Sequence, residues 1–222
     1  MPLAGRPMVE WSIEAFRRAG AGAIVVAVPP GHAYEASVEA AGLEVVEGGE
    51  TRSASVSNAL KAVKTDLVAI HDAARPLLTS ELVNGVVATL AADADADAAI
   101  AAAPLTDTIK RLADHAPAAA PSRPSRQLTP SEGVNRRLVV IETLDRTTLW
   151  AAQTPQAFRV EALRAALAGD PREVSAATDE AVLVEAAGGR VLIHPADAEN
   201  LKVTTPLDLR MAEALLGERT AG

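Results

Sequence analysis

Short apolar runs alternate with alanine-rich stretches along this chain, and glycine marks the joints between them. Arg17–Arg18–Ala19–Gly20 passes into the β-branched run Ile24–Val25–Val26–Ala27–Val28. Glu39–Ala40–Ala41–Gly42 passes into Leu43–Glu44–Val45–Val46, and Glu185–Ala186–Ala187–Gly188–Gly189 into Val191–Leu192–Ile193. A glycine just past a helix end supplies the left-handed cap, and the continuous apolar run after it predicts a sheet-buried strand. Leu67–Ile70 and Ala98–Ala102 predict two further strands. Strands alternating with helices define an α/β layered fold with a mostly parallel sheet. Thr205–Pro206–Leu207–Asp208 predicts the start of a last helix running to about Leu216. Thr178–Asp179–Glu180 sets a cap and two acids where a helix dipole favours them. Gly20–Ala21–Gly22 resembles half a dinucleotide fingerprint, but it precedes a strand instead of following one and predicts a helix cap.

The middle of the chain breaks the pattern. Residues 112–137 hold four prolines and no hydrophobic periodicity, which predicts a flexible excursion from the sheet. Leu138–Val139–Val140–Ile141 predicts the strand that returns from it. Asp93, Asp95 and Asp97 alternate with alanine as in a calcium loop. However, Ala98 stands where such a loop needs glycine and Pro104 where it needs glutamate, so a solvated loop is expected.

Composition sharpens the core. Of 222 residues 49% are hydrophobic, yet 48 residues are alanine and only five are aromatic: Trp11, Trp150, Phe16, Phe158 and Tyr34. A single domain of this length buries roughly 70% of its unfolded surface. With small aliphatic side chains it must do so by close helix-on-sheet packing. The 23% of charged residues and the abundant Val, Leu and Ile exclude wholesale disorder. The absence of cysteine excludes disulfides, thiolate catalysis and cysteine-held zinc or iron–sulfur sites. A net charge of −8 without a basic block argues against nucleic-acid and anionic-membrane partners. Apolar runs such as Ala23–Pro30 fall far short of the ~20 residues that span a bilayer. Arg6 and Glu10 flank no signal-peptide core, so a cytoplasmic location is expected.

In open parallel sheets, ligands collect beyond the carboxyl ends of the strands, and several polar clusters fall there. Gly48–Gly49–Glu50–Thr51–Arg52–Ser53–Ala54–Ser55 follows the strand ending near Val46. Its glycines permit close backbone approach, and its hydroxyl residues open a helix whose free N–H groups suit an anion or a polar base edge. An ordinary strand-to-helix turn has the same residue types. His71–Asp72–Ala73–Ala74–Arg75–Pro76 ends the strand Leu67–Ile70. Its carboxylate and guanidinium fit a grip on a metal-bound phosphate and a hydroxylated substrate, and equally a structural ion pair. Pro104–Lys110, Asp145–Arg146, Gln153–Thr154–Pro155–Gln156 and Asn200–Leu201–Lys202–Val203–Thr204 are similarly placed. Metalloprotease, nucleophile-elbow and P-loop motifs are absent, and the four histidines are scattered.

Taken in order, these segments resemble the 2-C-methyl-D-erythritol 4-phosphate cytidylyltransferase family. The resemblance runs through Leu3–Ala4–Gly5–Arg6–Pro7, Glu47–Val56, His71–Pro76, Asp107–Thr108–Ile109–Lys110, Asp145–Trp150, Gln153–Gln156, Thr178–Asp179–Glu180 and Asn200–Thr204, nearly the whole chain outside 112–137. It implies a Rossmann-like nucleotidyltransferase domain with a projecting β-arm, about 107–150, that pairs two subunits into a homodimer. The reaction implied is CMP transfer from CTP to the polyol phosphate in non-mevalonate isoprenoid synthesis. By the same resemblance Gly49, Glu50, Ser55 and Ala73 contact the nucleotide. Asp72, Arg75, Thr108, Thr154 and Thr178 contact the polyol phosphate, and Arg146 and Lys202 are the catalytic pair that positions its phosphate. Thr108 and Arg146 reach a neighbouring subunit's site, and Mg²⁺ arrives with CTP. A phosphate monoester is already mostly dianionic at neutral pH, with a second pKa of ~6, so no general base is required. Clamping two polyanions in line is the task.

One departure is marked. The family opens with a strand, a glycine-rich loop carrying an arginine, and a Pro-Lys pair, none of which has a counterpart before Leu3. The expectation is therefore a single nucleotidyltransferase domain over 1–222, truncated at its N-terminus. The roles of cradling the triphosphate stay unassigned, turnover by the chain as it stands is expected to be negligible, and an apolar sheet edge is expected where the strand is missing. Two alternatives are a cytidylyltransferase for another polyol phosphate such as ribitol 5-phosphate, and a non-catalytic remnant that binds nucleotide or only dimerises. Gly217–Gly222 is where a fused cyclodiphosphate synthase would continue in some relatives.

Overall fold

The computed structural model describes residues 2–32, 42–113 and 139–221. The expected helix end Glu39–Ala41, most of the 112–137 excursion, and Leu138 lie outside them. Two compact units result: Met1–Ala103 with Ala152–Gly222, and Pro104–Ala151.

Among the described residues the larger unit has thirteen elements beyond a short N-terminal hairpin of β1 (Pro2–Leu3) and β2 (Arg6–Pro7). Ala4 and Gly5, both at positive φ, turn this hairpin. It delivers the chain to α1 (Met8–Arg18), and Arg6 stacks over Trp11 at 4.4 Å while bonding Glu14 at 2.7 Å. Leu3 is fully buried in a cluster with Met8, Leu77, Val203, Ala212 and Leu216.

The glycines at the three joints take the left-handed conformation predicted for them, but the strands that follow are not sheet-buried as expected, Val45 being 41% and Ile193 45% exposed. Gly20, Gly42 and Gly188 have φ of 84°, 81° and 84°. They lead into β3 (Ile24–Val28), β4 (Leu43–Glu47) and β10 (Val191–Pro195). Then come β5 (Leu67–Ile70) and β6 (Ala98–Pro104), with α2 (Arg52–Leu60) ahead of β5 and α3 (Ser80–Ala91) between the two strands. After the smaller unit the chain returns through β9 (Trp150–Arg159), α4 (Val160–Leu167), α5 (Pro171–Ala176) and α6 (Glu180–Ala186). The final helix α7 (Pro206–Ala221) follows β10 and outruns its expected end at Leu216.

The sheet is mixed. Its order is β10–β6–β9–β5, with β10 parallel to β6 and β9 antiparallel to β5 in the register Leu67 to Arg159. β3 and β4 form a separate parallel pair. Among the described residues no strand pairs with the second edge of β3 or of β5, so the strands fall into two groups instead of one continuous sheet.

The alanine content finds its use in β6. Ala98 and Ile100 face the cluster of Phe158, Val160, Leu163, Ala181 and Val184, contributed by β9, α4 and α6. Ala99 and Ala101 face the opposite cluster of Val86, Leu90 and Ala157. A strand sandwiched between two helix layers alternates its side chains between two cores, and methyl groups let both layers approach closely. The Asp93–Asp97 loop folds on protein partners. Asp95 N donates to Asp93 Oδ1 at 3.0 Å, and Arg190 pairs with Asp93 at 3.1 Å.

The smaller unit contains an antiparallel ribbon of β7 (Lys110–Leu112) and β8 (Val140–Thr143), and a 3₁₀ turn at Arg146–Thr148 capped by Asp145. β8 begins two residues later than the expected strand start. Its apolar side chains are exposed, Ile141 at 61%.

Candidate active site

The loop between β4 and α2 is shaped by two glycines. A Cβ on Gly48 would stand 2.8 Å from Ser55 Oγ and 3.0 Å from Val28 O, and one on Gly49 would stand 2.4 Å from Ala54 Cβ. Gly49 N donates to Ser55 Oγ at 3.0 Å, and that hydroxyl turns to Thr51 O at 3.0 Å. Thr51 caps α2 through Ala54 N at 3.1 Å. Glu50 at the apex and Ala73 on the loop after β5 are both exposed.

Arg52, the first residue of α2, links this loop to the next. Its Nε and Nη2 both donate to Asp72 Oδ1 at 3.2 Å, and its Nη1 pairs with Glu180 Oε2. Asp72 Oδ2 accepts from Lys202 Nζ at 2.7 Å. Four elements thus converge: the start of α2, the loop after β5, the start of α6, and the segment before α7. Glu180 is 0% exposed at the start of α6, which Asp179 caps through Val182 N at 3.1 Å. The second oxygen of Glu180 has no partner among the described residues, so Arg52 compensates its charge.

The charges respond accordingly. Burial raises the Asp72 pKa, but the bond from Lys202 and the charge of Arg52 outweigh it and hold the carboxyl below its ordinary range. Burial also works against the Arg52 guanidinium, and the two carboxylates reverse this so that its net shift is upward. Glu180 is pushed up by burial, with Arg52 offsetting only part.

A hydrogen-bonded chain fixes the Asp72 loop from behind. Asp72 N donates to Thr154 Oγ1 at 3.1 Å. Thr154 Oγ1 lies 2.9 Å from His71 Nδ1, and His71 Nε2 lies 3.0 Å from Arg75 O. The carbonyl can only accept, so Nε2 carries a proton, and in the neutral ring Nδ1 accepts from the Thr154 hydroxyl. Burial depresses His71 to about 4, opposed by its bond to the Arg75 carbonyl. Arg75 Nη1 donates to Asn200 O at 2.7 Å, and burial lowers its pKa against the pull of Asp72. Buried Asn200 bonds Gln153 Oε1 and Thr154 O, both at 2.8 Å.

Of the residues singled out by resemblance, Asp72 and Lys202 touch directly, and Thr154 and Arg75 are joined to them through the buried chain. The hydroxyls of Ser55 and Thr154 are engaged inside the protein. Thr178 is exposed beside the Asp179 cap. Thr108 and Arg146 belong to the smaller unit, where both are exposed and Arg146 donates to Thr106 O. Arg52 and Glu180 lay inside quoted motifs without a role. Their only sequence signal was polarity at a helix start, and the pairing joins residues 128 apart.

Mg²⁺ takes one or two carboxylates together with substrate phosphates and waters. The carboxylates here are committed to Arg52 and Lys202, and no group of three His, Asp or Glu among the described residues suits a metal. The site residues therefore do not fit a protein-held ion.

Helices on a mixed sheet, with a glycine loop and an ion-pair cluster beyond the strand ends, make an α/β fold, and its similarity to a solved cytidylyltransferase places it in the nucleotidyltransferase class. A crystal structure of the Thermus thermophilus 2-C-methyl-D-erythritol 4-phosphate cytidylyltransferase superimposes with a TM-score of 0.75 at 33% identity, covering 97% of this chain and 92% of that one. The profile of that enzyme family matches residues 1–128 and 130–218, and the chain belongs to the 2-C-methyl-D-erythritol 4-phosphate cytidylyltransferase family. The Prochlorococcus marinus cytidylyltransferase is 38% identical, with 99% of this chain covering 89% of that protein. The bifunctional IspD/IspF enzyme of Anaeromyxobacter dehalogenans is 43% identical over 87% of this chain, which spans 45% of its length. The chain thus spans about half of the bifunctional relatives it matches. Among the described residues no helix is long and apolar enough to cross a membrane.

Proposed function

We propose that this protein transfers CMP from CTP to 2-C-methyl-D-erythritol 4-phosphate, releasing pyrophosphate, in isoprenoid precursor synthesis. The observation that carries the reading is Lys202 held at 2.7 Å on Asp72 beyond the end of β5, with Arg52 on the other carboxylate oxygen. Lys202 is 45% exposed and on a flexible stem, so it is able to turn to an incoming phosphate. Asp72 then accepts from a hydroxyl of the polyol, and exposed Thr178 and half-buried Arg75 flank it.

The nucleophile is a phosphate oxygen, so no side chain has to remove a proton. His71, neutral and bonded at both nitrogens, suits such a site because it holds the loop and shuttles nothing. Gly49, Glu50, Ser55 and Ala73 line the nucleotide side. Mg²⁺ arrives with CTP and neutralises triphosphate charge when bound.

Arg146 and Thr108 act on the site of a second subunit, in a cytoplasmic homodimer assembled through the 107–150 segment. Supporting this, β8 carries Val140 and Ile141 exposed on a two-stranded ribbon. Such a ribbon is marginal alone and gains stability from a partner.

Calorimetry with 2-C-methyl-D-erythritol 4-phosphate and ribitol 5-phosphate, run beside pyrophosphate release with CTP, tests the proposal. Tighter binding of the methylerythritol compound, and selective use of it in any transfer, is the expected result. Preference for ribitol phosphate would reassign the substrate. Binding without transfer would support the non-catalytic reading, and binding of neither phosphate would refute the proposal.

A further inference from the structure

Asp72 is shared by two unequal cations. Arg52 rises from the first turn of a helix, is pinned at Nη1 by fully buried Glu180, and spends two N–H groups on one carboxylate oxygen. Lys202 makes a single bond to the other oxygen from an exposed loop. A guanidinium fork fixed in two directions loses more on release than one ammonium on a four-carbon stem. An arriving anion therefore draws away the lysine and leaves the arginine in place.

We infer that Arg52 is the positioning residue of this site: anchored on Glu180, its guanidinium holds Asp72 so that Lys202 can exchange the carboxylate for an anionic phosphate. The inference rests on the function proposed above and deepens it. Without Arg52, Lys202 is the only direct counter-charge of a half-buried carboxylate among the described residues. Its departure then strands that carboxylate, which is costly in a partly desolvated site. Arg52 does not touch the phosphate in this scheme and acts through Asp72 and Lys202.

Arg52→Gln alone leaves Glu180 buried and unpaired, so it loses stability whatever its role in the site. The informative variant is Arg52→Gln/Glu180→Gln, which removes both buried charges together. Three readouts are compared with wild type: melting temperature, the carbon-13 titration of the Asp72 carboxyl, and the Kd for 2-C-methyl-D-erythritol 4-phosphate. The double variant is expected to recover the melting temperature. Its Kd stays weaker by about tenfold or more and Asp72 titrates at higher pH than in wild type. Arg52→Lys, which restores charge without the fork, falls between the two in Kd. A double variant that regains the wild-type Kd, or whose Asp72 titration is unmoved, overturns the inference and leaves Arg52 merely structural. Wild type that binds no polyol phosphate refutes the proposed function instead. The Asp72 titration still decides in that case: an upward move supports the hold by Arg52, and no move overturns it.

Discussion

Lys202 Nζ stands 2.7 Å from Asp72 Oδ2, joining the segment before the last helix to the loop after β5 across 130 residues. An ion pair this exposed on one side contributes at most about 1 kcal/mol to stability. Lys202→Met is therefore expected to melt within a few degrees of wild type and to bind 2-C-methyl-D-erythritol 4-phosphate at least about tenfold more weakly. Thermal melts and calorimetry on the same preparation separate the two effects. Equal affinity would remove Lys202 from the phosphate site.

His71 sets an acid limit on stability. Its folded pKa, about 4, lies below the ordinary 6.5, so the unfolded chain takes up a proton in that window while the folded one does not. Stability is therefore complete above pH 6.5 and is lost as pH falls towards 4, by about 3 kcal/mol at 1.36 kcal/mol per unit. Glu180, raised by burial, acts oppositely and costs stability as pH rises above its ordinary range. Comparing the pH slope of denaturant midpoints for wild type and His71→Gln isolates the histidine. An unchanged slope would show that His71 is not buried in neutral form.

Gly49 and Gly22 make a matched pair for testing the loop. A Cβ at Gly49 meets Ala54 Cβ at 2.4 Å, whereas at Gly22 nothing lies within 4 Å. Overpacking at Gly49→Ala is expected to cost about 1–3 kcal/mol. Gly22→Ala should stay within about 0.5 kcal/mol of wild type. Equilibrium urea unfolding of both variants checks this, and a neutral Gly49→Ala would mean the loop is free to move away from α2.

Ile141 tests the assembly. Since its side chain is 61% exposed, Ile141→Glu should leave the melting temperature of the larger unit unchanged. Light scattering is expected to show the mass of a dimer for wild type and of a monomer for the variant. A variant that remains dimeric would place the interface elsewhere.

The strands at Ile24–Val28 and Leu67–Ile70 were legible to the residue because a glycine cap or a polar boundary frames each apolar run. β9 was not. Its centre is Gln153–Thr154–Pro155–Gln156, and polar residues around a proline argue against an interior strand. The structure buries those polar groups by giving them partners such as Asp179 for Gln156 and Asn200 for Gln153. Local pattern carries no information about partners that far away. The antiparallel entry of β9 beside β5 was missed for the same reason, since strand direction is set by the path of the returning chain.

By itself the sequence determined the α/β alternation, the positions of the turns, a core of small side chains and the motifs that mark the family. Those features depend on periodicity and on residue types that one stretch of chain can express. Tertiary structure alone decided which cation meets which carboxylate: Arg52 on Asp72 and Glu180, and Lys202 on Asp72. Such pairings join residues 20 to 130 positions apart. They depend on where packed helices and strands bring their ends together, and no local pattern encodes that.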